Sequence, residues 1–182
     1  MVDPAFKPAT LITGASAGLG AEFARQCAAR GERVILVARR RDRLESLAAE
    51  IGGAEIIVAD LSEPGAATKV VGEAISRDLW IRTLINHAGF GLRGKFESLS
   101  LARQLEMIDL NIRALTNLCF VVLNVMRLRG EGAILNVAST AAFQPGPNMA
   151  VYFATKAYVL SFTEALHEEL KPHGIKVSAL CP

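Results

Sequence analysis

The sequence predicts a doubly wound α/β domain of the Rossmann type around a parallel sheet, and three observations carry that expectation. Six short apolar runs, at residues 9–13, 33–37, 55–59, 83–86, 133–138 and 176–180, are rich in β-branched residues and do not alternate apolar with polar. Strands buried on both faces of a parallel sheet read this way. Helical patterns at 18–30, 40–51, 64–77, 101–128 and 152–171 fall between the runs, and strand alternating with helix means βαβ units with right-handed crossovers. A glycine-rich segment joins the first strand to the first helix, where such folds bind ligands.

Composition bounds the rest. A chain of 182 residues, 51% apolar and 21% charged, is expected to be one globular domain, 1–182, with no repeat or low-complexity linker. Twenty Lys and Arg against 18 Asp and Glu give +2, and residues 39–43 alone contribute +3. The other residues therefore sum to −1, which speaks against a nucleic-acid partner and leaves one local anion site to explain. Cys27, Cys119 and Cys181 form no CxxC pair, so a reducing compartment and no zinc site are expected. His87, His167 and His173 have no metal-ligand spacing, and no metal is expected. Residues 1–8 lack the apolar core of a signal peptide. The most apolar stretch, 114–126, is short and contains Asn117 and Asn124, so no membrane span is expected and the protein is read as cytoplasmic.

The first strand runs into Thr13-Gly14-Ala15-Ser16-Ala17-Gly18-Leu19-Gly20. Glycines let the backbone approach a phosphate, and the following helix presents free N–H groups and the positive end of its dipole. The spacing is neither GxGxxG nor that of a P-loop, and a tight turn that binds nothing has the same composition. Gly31 then stops the first helix. The second strand ends Val37-Ala38-Arg39-Arg40-Arg41, with no acid at its tip. An NAD site usually places an acid there to hold the ribose 2′-hydroxyl, whereas arginine accommodates a 2′-phosphate. Arg39, nearest the tip, therefore points to NADP, with NAD as the alternative. Arg41 and Arg43 read as a solvated helix face.

The fourth strand leads into Asn86-His87-Ala88-Gly89, and the fifth ends at Ser139, where a hydroxyl can bond a substrate oxygen. In the last helix, Tyr152 and Lys156 share a face at i, i+4. A phenol titrates near ~10, and bringing one to about 7 takes roughly 4 kcal/mol. One ammonium at ~4 Å supplies about that at an effective dielectric near 20. Such a pair can serve as an acid–base group, although alone it is common on helix surfaces. Pro172 and Gly174 end the helix.

TGxxxGxG at 13–20, Asp60 after the third strand, Asn86-x-Ala88-Gly89, Asn111 in the long helix, Ser139 and YxxxK at 152–156 occur in one order over nearly all of the chain. The set resembles the short-chain dehydrogenase/reductase family. The resemblance implies an oxidoreductase passing hydride between a nicotinamide and a ketone, an aldehyde or a secondary alcohol. It implies that Thr13, Gly14, Ser16, Ala17, Gly18, Leu19 and Gly20 form the cofactor loop. Asp60 and Leu61 would meet the adenine, Asn86, Ala88 and Gly89 would support the sheet and line the cleft, and Pro182 would close it. Tyr152 would exchange the substrate proton, Lys156 would hold the nicotinamide ribose and lower the tyrosine pKa, Ser139 would orient the carbonyl, and Asn111 would hold a water that relays protons. The long helix and the last helix would build a dimer's four-helix bundle, so a homo-oligomer, dimer or tetramer, is expected.

Two departures stand out. His87 replaces the second Asn of the family's Asn-Asn-Ala-Gly, and reads as a tolerated neighbour. The chain stops at Cys181-Pro182, directly after the sixth strand, so the last strand and the substrate loop are expected to be missing and the sequence to be incomplete at its C-terminus. Phe90, Phe143, Gln144 and Met149 are expected around the substrate. Two other readings remain open: a non-catalytic nucleotide-binding module or inactive fragment with this fold, and an epimerase or dehydratase using the same Tyr and Lys.

Overall fold

The computed structural model describes residues 6–182; the leader reading of 1–8 lies largely outside the described residues. In chain order the main elements are β1 (Lys7–Thr13), α1 (Gly18–Ala29), β2 (Val34–Ala38), α2 (Arg41–Glu50), β3 (Glu55–Val58), α3 (Ala66–Ile75), β4 (Leu79–Asn86), α4 (Leu101–Ile108), α5 (Leu115–Arg129), β5 (Gly132–Val137), α6 (Ala150–Leu170) and β6 (Ile175–Leu180). All strand pairs are parallel, and the sheet order is β3-β2-β1-β4-β5-β6. The order reverses between β1 and β4, and the crevice beyond their C-terminal ends is where open α/β sheets bind ligands.

The lack of polar alternation in the strands has a direct cause. Leu11, Ile35, Val37 and Leu84 point into one core, shared with α3 and α5. Their neighbours Ile12, Val34, Leu36 and Ile85 point into the other, shared with α1 and α2. Each fully buried Leu or Ile contributes about 1.5–3 kcal/mol, so both faces of the sheet are held.

Two elements differ from the sequence expectation. β4 begins at Leu79, four residues before 83. Its interruption, Arg82, is exposed and pairs with Glu131 at 3.4 Å, so a charged residue sits within a core strand at no desolvation cost. The long helix is broken by a π-helical segment, Asp109–Ala114, between α4 and α5. Such segments recur at functional sites, and this one carries Asn111. By length and composition the run Leu101–Arg129 could cross a membrane. One side of it is built into the sheet core through Leu115, Leu118, Cys119, Val122 and Met126, while Phe120 and Leu128 are exposed.

Candidate active site

The turn after β1 begins the site. Gly14 has a φ of +66°, and a Cβ there would lie 2.9 Å from the Ala88 backbone. Only glycine meets both demands. The N-cap of α1 is Ala17, with no side-chain cap and no acid in the first turn. The helix therefore offers its free N–H groups and positive dipole end uncompensated, which is a fit for an anion.

Those residues form one wall of a cavity of about 360 Å³, lined also by Arg39, Arg40, Asp60, Leu61, Ala88 and Gly89. Arg40 donates to Ser16 Oγ at 2.9 Å. Arg39 pairs with Asp60 at 3.5 Å and with Glu106 at 3.8 Å. Asp60 is held below the usual carboxylate range: its bonds from Ser62 and the charge of Arg39 outweigh burial, the largest single influence, which acts the other way. Sequence reasoning selected Arg39 and passed over Arg40. The Ser16 contact that distinguishes Arg40 is made across 24 residues.

A second cavity, of about 430 Å³, adjoins the first and shares His87 and Gly89 with it. Its walls include Leu19, Phe90, Ser139, Met149, Tyr152, Lys156 and Pro182. Ser139 lies at the tip of β5, and its Oγ accepts from the Ala141 N–H at 3.2 Å as the cap of a short 3-10 turn, Thr140–Phe143. Pro182 is fixed there because its carbonyl accepts from the Thr140 N–H at 3.0 Å. Tyr152 stands in the first turn of α6, with Lys156 one turn later.

Lys156 is 7% exposed. Its ammonium donates to the Val137 carbonyl at 2.8 Å and stands 5.9 Å from the centre of the Tyr152 ring. Burial pulls its pKa down from 10.5 to about 8, so it remains mainly charged at pH 7.

Several expected site residues stand behind the cavities and hold their walls. Thr13 Oγ1 accepts from the N–H groups of His87 and Ala88, each at 3.0 Å, tying the tip of β4 to the glycine turn. Gly20 packs against that turn, where a Cβ would lie 2.3 Å from the Gly14 carbonyl oxygen. Asn86 donates to Asn136 Oδ1 at 2.9 Å inside the sheet.

Asn111 is 2% exposed and its side chain is fully engaged. Its Oδ1 accepts from the Phe90 N–H at 3.1 Å, and its amide donates to the Phe90 carbonyl at 3.0 Å and to Thr155 Oγ1 at 3.1 Å. Thr155 in turn donates to the Tyr152 carbonyl at 2.7 Å. Asn111 thus clamps Phe90 and steadies the turn that carries Tyr152. Thr155 had no signal in the sequence beyond its place between Tyr152 and Lys156. Gly18, with φ +57°, opens α1 at the surface.

Phe90 and Met149 line the second cavity as expected, whereas Phe143 and Gln144 do not. The 3-10 turn capped by Ser139 rotates Phe143 outward, leaving it 67% exposed. Among the described residues, no group of three or more His, Cys, Asp or Glu side chains is placed to hold a metal ion.

The short chain dehydrogenase family model matches residues 8–182. Sulfoacetaldehyde reductase 2 of Chromohalobacter salexigens is 36% identical over 177 residues, covering 94% of this chain and 70% of the relative. The bulky-bulky ketone specific alcohol dehydrogenase of Comamonas testosteroni superposes with a TM-score of 0.90 at 36% identity, over 97% of this chain and 73% of that one. A short-chain dehydrogenase of Sphingobium yanoikuyae, solved in complex with NADPH, superposes with a TM-score of 0.89 at 40% identity, over 97% and 70%.

Proposed function

The chain belongs to the short chain dehydrogenase family of oxidoreductases, and from that premise we propose that it is an NADP(H)-preferring carbonyl reductase in which Tyr152 carries the substrate proton. The observation that supports this most is the meeting of Ser139, Tyr152 and Lys156 in one cavity that adjoins a cationic cleft.

Arg40, held toward the cleft by Ser16, and Arg39 beside it supply the charge for a 2′-phosphate, since guanidinium binds phosphate in a bidentate manner. The uncapped start of α1 would receive the pyrophosphate. A dinucleotide held there would supply the hydride-transfer chemistry for a carbonyl carbon seated in the second cavity. Ser139 donates to the substrate oxygen and orients it. Tyr152 gives that oxygen a proton on reduction and takes it back on oxidation. The buried Lys156 ammonium, 5.9 Å from the centre of the Tyr152 ring, sets a positive charge beside the residue that exchanges the proton. Asn111 acts through Phe90 and Thr155 as a positioning residue. Small carbonyl compounds are the proposed substrates, and the apolar Phe90 and Met149 suit an apolar substituent.

We further propose a homodimer through α4, α5 and α6, where Leu101, Leu105, Phe120, Leu128 and Tyr158 are exposed, and a cytoplasmic location.

Tyr152→Phe tests the chemical role. Turnover of NADPH with a panel of ketones and aldehydes falls by at least about a thousandfold, in line with loss of an acid–base group and its activation. NADPH affinity stays within about twofold, because the hydroxyl alone is lost. Equal turnover in the variant refutes the assignment.

A further inference from the structure

The joint between the two cavities is walled by a side chain that the proposed chemistry does not use. His87 belongs to both walls. Its ring lies against the glycine turn: Nδ1 stands 2.9 Å from where a Gly14 Cβ would lie and 2.7 Å from where a Gly20 Cβ would lie. Phe23 of α1 meets the ring edge-on, with centroids 6.3 Å apart. Thr13 Oγ1 fixes the His87 backbone through its N–H. Nδ1 itself is shielded from solvent and lies against the Gly14 and Thr13 backbone without a well-formed hydrogen bond. A buried polar atom without a partner is costly, and in a ligand cleft it points to a change that binding brings.

The charged and titratable groups facing the same space come from three other elements. Lys156 and Tyr152 project from α6, Arg39 and Arg40 from the end of β2, and Asp60 from the segment after β3. α1 contributes Phe23 and Gly20, which carry no charge.

We propose that His87 is a positioning residue of the cofactor cleft: its ring buttresses the glycine turn, and on binding of the anionic dinucleotide it takes up a proton and adds a positive charge at the joint. The inference rests on the nucleotide reading of the cleft. In the free protein burial, the largest influence, and the Lys156 charge hold the imidazole below its ordinary range against the Gly14 and Thr13 backbone, which act the other way, so it is mainly neutral near pH 7. An anion in the cleft acts in the opposite sense and favours imidazolium. The bound state then holds a proton that the free state lacks, so affinity rises as pH falls. Lys156, at about 8, is already protonated at pH 6, and Asp60, held below the carboxylate range, is already ionised. Neither supplies the uptake.

NADH is the suitable probe, because it lacks a 2′-phosphate titrating near pH ~6. Calorimetric titration with NADH at pH 6, in two buffers of different ionisation heat, reads the protons taken up. We expect about a quarter to a half of a proton in the wild type, the most that a threefold to tenfold linkage allows, and none in His87→Asn. Over pH 7.5 to 5.5, NADH affinity tightens about threefold to tenfold in the wild type, tenfold being one pKa unit, and stays flat in the variant. Zero uptake in the wild type, or the same pH slope in both proteins, overturns the proposal while leaving nucleotide binding intact. Should His87→Asn not fold, the wild-type proton count alone decides. Failure of both NADH and NADPH to bind at any pH overturns the nucleotide reading itself, and this proposal with it.

Discussion

Lys156→Met isolates what the buried ammonium costs the fold. The side chain is 7% exposed, and its pKa stands at about 8 against the ordinary 10.5, with burial as the main cause. That difference corresponds to about 3 kcal/mol, because each pKa unit is ~1.4 kcal/mol. The sign follows from proton counts. Below about pH 8 the lysine is charged in both the folded and unfolded states, and the folded state carries the full penalty. Between about 8 and 10.5 the unfolded state binds more protons, so wild-type stability gains from this group as pH rises. Above that window the penalty is gone.

Methionine fills a similar volume without charge. It gives up the bond to the Val137 carbonyl, which costs about 1 kcal/mol. At pH 7 the variant is therefore about 2 kcal/mol more stable than the wild type, equivalent to a Tm higher by roughly 4–8 °C in a chain of this size. At pH 10.5 it is about 1 kcal/mol less stable. Urea denaturation of both proteins at the two pH values reads the difference directly, and comparing the pair cancels other groups that titrate there. A difference that does not change with pH, or a variant already less stable at pH 7, refutes the reasoning. The same variant loses turnover, so this lysine trades stability for chemistry.

Arg40→Ala removes the guanidinium that Ser16 holds and weakens NADPH binding about tenfold to a hundredfold, the range for a charge-assisted phosphate contact, with NADH binding little changed; fluorescence titration of both nucleotides checks it. Gly20→Ala would set a Cβ 2.3 Å from the Gly14 carbonyl oxygen, so the glycine turn must shift and nucleotide binding is lost in the same titration. Gly72→Ala is the contrasting case: no atom lies within 4 Å of the new Cβ and the backbone is ordinary helix. It stabilises the protein by about 0.5–1 kcal/mol, read by urea denaturation.

Much of this architecture was legible in the sequence because both faces of each central strand are apolar, and few other arrangements bury such runs. The glycine turn, Ser139 and Tyr152 were legible because each stands at a strand or helix terminus marked by local composition, and Lys156 because it follows Tyr152 by one helical turn. What was hidden depends on contacts and local geometry that composition does not mark. The first half of β4 was obscured by Arg82, whose charge is met by Glu131 just before β5. The π-helical segment keeps an ordinary apolar pattern, so no spacing betrays it. Arg40 is distinguished from its neighbours by Ser16, and Phe143 is turned out by a cap formed within the loop itself. His87 reads as a substitution in a motif until the glycine turn is folded against its ring.

Thermal unfolding with and without nucleotide tests the central claim most directly. A ligand at 100 times its dissociation constant adds about 2.7 kcal/mol of stability, which raises Tm by roughly 5–11 °C for a chain of this size. The account predicts one cooperative transition, raised by NADPH well beyond the shift that equimolar NADH produces. A cooperative transition that neither nucleotide moves, or that NADH moves more, would contradict the assignment of the Arg39 and Arg40 cleft to NADP(H).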